Sequence, residues 1–310
     1  MTNIPRPDNS SSTTAVPATA DAADAANAAN AADPTAGGDL PAHAHALTVS
    51  SLKVGYTPDN PVITDLSVHI PGGRVTTVIG PNGCGKSTFL RAVGRLIPSQ
   101  AGTVTLGATD ISSMRRKDIA RTIGVLPQAP IAPPGLIVSD LVSRGRHPHQ
   151  SWIRQWSSSD EKEVMAALEM TDVADLADRP VDSLSGGQRQ RVWISMVLAQ
   201  HTEILFLDEP TTYLDLAHSI EVLDLVNRLR RELDRTVVMV LHDLNLAIRY
   251  SDNLVVMRDG DLIATGTPES VITPELLMDV FDLDATVIED PVVGGPLIVP
   301  NDPHGLRNRS

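Results

Sequence analysis

The segment GPNGCGKST at residues 80–88 constrains the fold of this chain more than any other stretch. It fills every fixed position of the pattern GxxxxGK(S/T), follows the apolar run RVTTVIG and opens a helical stretch. Glycines in such a turn let backbone N–H groups point inward onto phosphate oxygens. The segment therefore predicts a strand, a phosphate-binding loop and a helix, which together form the core of a nucleotide-binding α/β domain.

The side chains of this loop have predicted roles. Lys86 is expected to reach the β and γ phosphates of ATP, and Ser87 is expected to offer its hydroxyl to Mg²⁺. ATP and Mg²⁺ are thus the predicted ligands. The residues predicted to bind nucleotide here are Gly80, Pro81, Asn82, Gly83, Cys84, Gly85, Lys86, Ser87 and Thr88.

Cys84 is the single cysteine of the 310-residue chain, so the sequence excludes an internal disulfide. This usage is typical of a reducing compartment. Two interpretations of the thiol are open. A helix N-terminus and Lys86 favour the thiolate and hence reactivity, whereas a small side chain packed under the loop would be inert.

A second group of chemistry-bearing residues follows the apolar strand in ILFLDEP at 204–210. Asp208 and Glu209 stand at its C-terminal end, where open α/β sheets bind their ligands. Asp208 is predicted to hold the Mg²⁺ shell, and Glu209 to accept a proton from an attacking water. His242, at the end of the next strand in VLHDL, is predicted to reach the γ-phosphate. A helix cap would account for one acid but not for the adjacent pair.

The order of apolar runs predicts the fold class. Strand-like runs at 123–127, 203–210 and 236–243 alternate with helices, which is typical of a parallel sheet covered on both faces. Between Gln128 and Leu184 helical segments replace the strand pattern, which predicts an inserted helical subdomain at about 129–190. We therefore predict an α/β chain with a parallel sheet that helices cover on both faces and an inserted helical subdomain.

Residues 1–46 differ in composition from the rest of the chain. The segment is rich in Ala with scattered Asp and Pro, lacks bulky apolar periodicity and is predicted to be disordered. A domain at 47–283 and a C-terminal extension at 284–310 complete the predicted organisation. The formal net charge of −13 disfavours nucleic acid as a partner. No apolar run is long enough to cross a bilayer, so a partner would hold the chain at any membrane.

The stretch LSGGQRQR at 184–191 is a second glycine-rich helix start, far downstream of the first. A helix that begins just after Ser185, Gly186 and Gly187 presents unpaired N–H groups and the positive end of its dipole. It is therefore an anion site in its own right. With Gln188, these residues are predicted to bind a phosphate of the nucleotide.

Taken together, these motifs resemble the ATP-binding cassette (ABC) ATPases over about residues 47–273. LSGGQ matches the signature of that family in every letter, and it follows the loop at 80–88 and precedes LFLDEP in the usual order. The resemblance implies that Tyr56 stacks on adenine and that Asp215 crosses a dimer interface. It implies that Gln128 is a catalytic residue and Mg²⁺ ligand that links the attacking water to a transport partner. It also implies an α/β fold that has a P-loop NTPase (RecA-like) core with an antiparallel β subdomain and an inserted helical signature subdomain. Finally, it implies a homodimer closed by ATP, in which each signature closes on the ATP of the other copy.

Residues 128–156 lie where this family docks onto a membrane subunit. The segment RGRHPHQ and the stretches TTYLDLAHSIEVLDLV and EDPVVGGPLIVP are similar to import ATPases for iron–siderophore complexes, haem and cobalamin. The resemblance implies integral membrane permease subunits, an extracytoplasmic substrate-binding protein, a peripheral location at the cytoplasmic face of the cell membrane, and ferric siderophores as cargo. The residues that carry it in the first segment are Arg144, Arg146, His147, Pro148 and His149.

Three alternatives are open at this point. The segment RGRHPHQ could be a solvated basic loop in which His147 and His149 hold no metal. The cargo could be haem or cobalamin. A soluble ABC ATPase that is not tied to transport is disfavoured, because the chain has one cassette, no long coiled-coil insertion and an acidic net charge.

Overall fold

The computed structural model of the protein describes residues 45–150 and 156–301. The predicted disordered tail lies outside this range up to residue 44. From its first described residues the chain is hydrogen-bonded: the carbonyl of His45 accepts from Thr236 Oγ1 at 3.4 Å, and that of Ala46 accepts from the amide of Gly107 at 2.9 Å. The boundary between residues 46 and 47 stays a prediction.

The described residues form three sheets. The strands are β1 (Leu47–Val54), β2 (Ile63–Ile70), β3 (Val75–Ile79), β4 (Ala101–Leu106), β5 (Thr109–Asp110), β6 (Ile123–Leu126), β7 (Ile204–Asp208), β8 (Thr236–Val240), β9 (Asn253–Arg258), β10 (Asp261–Gly266), β11 (Ala285–Glu289) and β12 (Pro296–Pro300). A four-stranded antiparallel sheet has the order β2–β1–β4–β5, and a six-stranded sheet has the order β10–β9–β3–β8–β7–β6. β11 and β12 form a separate antiparallel pair.

Helices cover the larger sheet. They are α1 (Lys86–Val93), α2 (Arg116–Thr122), α3 (Val138–Ser143), α4 (Ser158–Met170), α5 (Gly186–Ala199), α6 (Leu216–Leu233), α7 (Leu244–Tyr250), α8 (Pro268–Val271) and α9 (Pro274–Phe281). Among the residues that the structure describes, no helix combines the length and apolar character needed to cross a membrane.

The middle strands of the six-stranded sheet are buried on both faces. Every residue of β3, β7 and β8 is buried, and this is why these strands are unbroken apolar runs in the sequence. The core is divided between the two faces of the sheet. One cluster contains α1, through Phe89, and the antiparallel sheet, and the other contains the helices α5, α6 and α7. The predicted α/β fold class is confirmed.

Four neighbouring parallel strands end at one edge of the sheet. In the order β3, β8, β7 and β6, they are followed respectively by the phosphate loop, by His242, by Glu209 and by Gln128. The C-terminal edge of a parallel sheet is where the chain leaves every strand, so loops from distant parts of the sequence meet there. The topology thus assembles the predicted catalytic residues.

Between β6 and β7 the described residues form helices and no strand. The order is α3, a 3₁₀ helix at Arg144–His149, α4, two short 3₁₀ helices and α5. This confirms an inserted helical subdomain that carries the signature, because α5 begins directly after Ser185. The limits at about 129 and 190 stay predictions, and α5 itself continues to Ala199.

The pair β11–β12 lies beyond the predicted boundary at residue 283 but packs on the same core. Ala285 and Ile298 are buried in the cluster that contains α7. The side chain of Asn245, on α7, fastens the pair: its Nδ2 donates to the carbonyl of Ile298 at 3.1 Å, and its Oδ1 accepts from the Ile298 amide at 2.9 Å. Residues 302–310 of the predicted extension lie outside the described range.

The segment RGRHPHQ is not a solvated loop throughout. Only 8% of the Arg146 side chain is exposed; its Nε donates to Asp160 Oδ1 at 2.9 Å and its NH1 to the carbonyl of Ala199 at 2.7 Å. The hydroxyl of Ser157 also donates to Asp160, and this bond together with that from Arg146 holds the pKa of Asp160 below its usual value. Arg144 and His147 are exposed. Arg146 therefore joins the segment to α4 and α5.

Replacing Arg146 with Met is expected to reduce the free energy of unfolding by about 3–5 kcal/mol, because it leaves the buried Asp160 carboxylate without its cation. The matched control is Arg115→Met. Arg115 pairs with Asp118 at 2.7 Å, but 83% of its side chain is exposed, so its loss is expected to destabilise the chain far less than the loss of Arg146. Urea denaturation of the full chain measures both. Equal effects of the two substitutions would contradict the buried pairing.

Candidate active site

The phosphate loop joins β3 to α1 and requires glycine at its first position. Gly80 has a φ of +154°, and a Cβ there would lie 2.1 Å from the carbonyl oxygen of Met257. Lys86 is buried, and its ammonium donates hydrogen bonds to the carbonyls of Gly80 and Pro81, at 2.8 Å each. The cationic group is therefore held across the loop, where backbone amides also converge.

A cleft of about 270 Å³ opens in front of this loop. It brings together residues that were predicted to bind or hydrolyse the nucleotide: those of the loop and those that follow β1, β7 and β8. The lining residues are Tyr56, Val62, Asn82, Gly83, Gly85, Lys86, Ser87, Thr88, Glu209 and His242. Gly80, Pro81 and Cys84 belong to the loop but do not line the cleft.

Ser87 and Asp208 form one half of the polar machinery. The Ser87 hydroxyl donates to Asp208 Oδ1 at 2.8 Å. Burial raises the pKa of Asp208 above its ordinary value, although this bond and the nearby Arg91 act in the opposite direction. The second carboxylate oxygen, Oδ2, is buried and accepts no hydrogen bond from the described residues. A buried carboxylate oxygen without a hydrogen bond is costly unless a cation satisfies it, and here Arg91 NH2 forms only a long ion pair with Oδ2, at 3.8 Å.

Glu209 forms the other half, and three donors hold its carboxylate. His242 Nε2 lies 2.6 Å from Oε1, Gln128 Nε2 donates to Oε2 at 2.6 Å, and the hydroxyl of Thr212 donates to Oε2 at 2.8 Å. Burial acts to raise the pKa of Glu209, but the bonds from Thr212, His242 and Gln128 outweigh it, and the pKa lies below its usual value. The carboxylate is therefore ionised at neutral pH and able to accept a proton.

The backbone at Glu209 is unusual. Its φ is +53°, in the left-handed region that non-glycine residues seldom occupy. Such conformations persist only where surrounding contacts fix them, and they cluster at functional sites. Here the three hydrogen bonds to the side chain supply those contacts.

Gln128 and Tyr56 lie close to the residues with which their predicted roles connect them. The side chain of Gln128 bonds the Glu209 carboxylate, so the structure brings it to the predicted base, while its role as a Mg²⁺ ligand stays a prediction. Tyr56 is 62% exposed and lines the cleft. Its hydroxyl lies 3.3 Å from the Thr88 hydroxyl and from Arg91 NH1, which leaves a ring face free for the predicted stacking on adenine.

Sequence reasoning missed two residues of this site. Thr212 bonds Glu209, and Arg91 NH2 lies 3.8 Å from Asp208 Oδ2. Both carried a spacing signal. Arg91 is four residues after Ser87 on α1, which places the two on one helix face, and Thr212 follows Glu209 by three residues in a tight turn.

The signature residues form a second cluster, away from the cleft. Ser185 caps α5: its hydroxyl accepts from the Gln188 amide at 3.3 Å, and its own amide donates to Gln188 Oε1 at 3.1 Å. Asp215 caps α6 and accepts from the His218 amide at 2.9 Å. Within the described part of the chain, Ser185, Gly186, Gly187, Gln188 and Asp215 are all absent from the lining of the cleft.

This chain is similar to known ATP-binding proteins of transport systems. A family model described as "ABC transporter" matches residues 63–212. "Probable siderophore transport system ATP-binding protein YusV" of Bacillus subtilis (strain 168) is 50% identical over 256 residues, covering 83% of this chain and 93% of that protein. "Ferric enterobactin transport ATP-binding protein FepC" of Escherichia coli (strain K12) is 48% identical over 249 residues, covering 80% of this chain and 92% of that protein.

The chain belongs to the ABC transporter ATPases. A solved metal-chelate type ABC transporter in an inward-facing conformation has the same fold, with a TM-score of 0.72 and 28% identity over 83% of this chain and 98% of that one. This ABC ATPase binds ATP and hydrolyses it, which confirms the predicted enzyme class and nucleotide.

The donor set beside the phosphate loop fits the predicted Mg²⁺. The Ser87 hydroxyl and Asp208 Oδ2, which accepts no hydrogen bond from the described residues, are hard oxygen donors, which Mg²⁺ prefers. Two protein groups suffice, because Mg²⁺ keeps several waters and takes further ligands from substrate phosphates. When bound, the ion would neutralise charge on the β and γ phosphates.

Cys84 is packed under the loop of this ABC ATPase. Its side chain belongs to the buried cluster around Phe89 and is 4% exposed. Burial raises the pKa of the thiol, although Lys86 acts in the opposite direction. Of the two interpretations that the sequence left open, the structure therefore favours the inert one.

We expect maleimide to label Cys84 in the native chain at least about tenfold more slowly than an exposed cysteine, because both burial and the raised pKa deplete accessible thiolate. The matched control carries Cys84→Ser with Ile131→Cys, since Ile131 is 90% exposed. Labelling is followed by mass spectrometry with and without urea. Equal native rates for the two proteins would contradict the buried placement.

Proposed function

We propose that this chain is the ATPase subunit of an importer for ferric siderophores. Two copies close on ATP and act on integral membrane permease subunits, which hold them at the cytoplasmic face of the membrane. An extracytoplasmic substrate-binding protein delivers the cargo to the permease. The cargo itself does not enter the ATPase.

The extent of similarity to the siderophore relatives carries this proposal. YusV and FepC each match about four fifths of this chain at close to half identity, and the match spans nearly their whole length. Both names place an ATP-binding protein in siderophore or ferric enterobactin transport. A catalytic motif shared by all ABC ATPases would not discriminate cargo, whereas similarity along the whole cassette includes the surfaces that contact partners.

In the proposed reaction, Glu209 is the general base. Its carboxylate takes a proton from the water that attacks the γ-phosphate, and the low pKa keeps it ready to do so at neutral pH. Gln128 and His242 hold this carboxylate in place. Lys86 and the loop amides stabilise the negative charge of the phosphates, and Tyr56 orients the nucleotide by stacking on its adenine.

The separation of the two clusters supports a dimer with composite sites. One chain has a cleft lined by the phosphate loop and a second cluster of Ser185, Gly186, Gly187 and Gln188 that does not line it. Two copies related by a two-fold axis bring a cleft and a signature cluster together, because each copy then places its signature against the nucleotide of the other. Asp215, beside the signature, reaches across the same interface.

Glu209→Gln is expected to retain ATP binding and to lower the hydrolysis rate by a factor of about 10²–10⁴, because the amide keeps the shape but cannot accept the proton. ATPase assays on the assembled transporter measure the rate, and nucleotide titrations measure binding. Glu232→Gln, at an exposed site on α6, is the matched control. Normal turnover by Glu209→Gln would remove Glu209 from the role of base.

Cells that lack this chain are expected to lose uptake of iron supplied as a ferric siderophore. Uptake should return with the wild-type chain and not with Glu209→Gln. Labelled haem and labelled cobalamin are measured in the same strains as competing cargoes. Loss of haem or cobalamin uptake with siderophore uptake intact would reassign the cargo, and unchanged uptake of all three would contradict an import role.

A further inference from the structure

The start of α5 and the start of α6 pack side by side within one chain. A Cβ at Gly186 would lie 3.5 Å from Leu214, which is ordinary contact distance, and Arg191 pairs with Glu221 at 3.4 Å one turn further on. The signature and the Asp215 turn are therefore neighbours, although neither lines the cleft of their own chain.

His218 fills the space between these two motifs. A Cβ added at Gly187 would lie 2.5 Å from His218 Cδ2 and 3.1 Å from its Cγ, so the ring occupies the volume that any side chain at residue 187 would need. On its other side, His218 Nδ1 lies 2.7 Å from Asp215 Oδ1, which also accepts the His218 amide at 2.9 Å. One imidazole thus contacts the second glycine of the signature and the carboxylate of Asp215.

The placement of His218 is not that of a core residue. Its side chain is 41% exposed, and Asp215 is 66% exposed. A half-exposed ring contributes little to the hydrophobic core, and an exposed pair of this kind contributes little to stability. Its contacts are nevertheless specific, since they fix the ring orientation from two sides.

We propose that His218 is a positioning residue that holds Gly187 and Asp215 of one chain as a single unit against the nucleotide bound by the other chain. This inference rests on the proposed composite sites. The ring touches neither its own chain's cleft nor, on this assignment, the reacting atoms. It sets the spacing between two groups that must arrive together when the dimer closes.

Paired heterodimers test the inference, with Glu209→Gln in all full-length chains so that closure is measured without hydrolysis. In the same-chain arrangement, Lys86→Ala and His218→Ala are on one chain, so the only intact phosphate loop faces the altered signature. In the opposite-chain arrangement, His218→Ala is on the chain with the intact loop, which faces an unaltered signature. The two chains carry different fluorescent labels, and their ATP-dependent association is followed by energy transfer between the labels, to which homodimers do not contribute.

The same-chain heterodimer is expected to need about tenfold more ATP for half-maximal association than the opposite-chain one. A defect in folding or in the variant's own cleft would weaken the second arrangement at least as much. Equal ATP requirements in the two arrangements would therefore overturn the role of His218.

Two further variants separate this inference from the proposed function. Ser185→Arg, placed in the same two arrangements, tests the composite site itself: equal effects would refute the arrangement in trans, whereas a same-chain effect without one for His218→Ala would refute only the positioning role. His218→Asn places an amide nitrogen where Nδ1 lies, so it is expected to restore association in part. No improvement over His218→Ala would exclude the bond to Asp215 as the basis of the effect.

Discussion

The parallel pairing of β3, β8 and β7 is the constraint on which the whole site depends. In the register of these strands, Val78 is opposite Val240, and Val240 is opposite Asp208. The phosphate loop begins two residues after the first, His242 stands two residues after the second, and Glu209 follows the third. A shift of one residue in either pairing would turn each strand's side chains to the opposite face. The register is secured because both faces of these strands are buried in apolar clusters.

The adjacent acids Asp208 and Glu209 have opposite environments, and this difference separates their roles. Burial raises the pKa of Asp208, and its Oδ2, which accepts no hydrogen bond from the described residues, leaves a place for a cation. Glu209 receives three hydrogen bonds, which lower its pKa and leave it ionised. Neighbouring carboxylates whose environments move their pKa values apart are typical of an acid–base site. The left-handed backbone at Glu209 makes this possible, because it turns the second side chain out of the strand geometry that fixes the first.

The sequence could predict the motifs, the position of the candidate residues at the ends of apolar strands and the helical insertion, because each depends on local pattern. Contacts between distant segments could not be predicted in this way. Arg146 is charged and stands in a basic stretch, yet Asp160 and Ala199 bury it. Cys84 follows the rules for a reactive thiol at a helix start, yet the packing around Phe89 buries it. In both cases tertiary contacts override local propensity, and these contacts cannot be inferred from the residue and its neighbours in the sequence.

In the proposed dimer, the two clusters of one chain explain how ATP would control assembly. A phosphate loop alone binds nucleotide equally well in an open or a closed dimer, and equal affinity moves no equilibrium. Only groups that contact the nucleotide in the closed state alone can shift the equilibrium towards closure. A shift from 1:99 to 99:1 in favour of closure needs a differential affinity of about 10⁴-fold, and two equivalent sites divide this into about 10²-fold each. A signature that contributes a few hydrogen bonds to the γ-phosphate is sufficient for that factor. In the proposed dimer, loss of the γ-phosphate on hydrolysis removes the same contribution at both sites, so the geometry that closes the dimer also opens it.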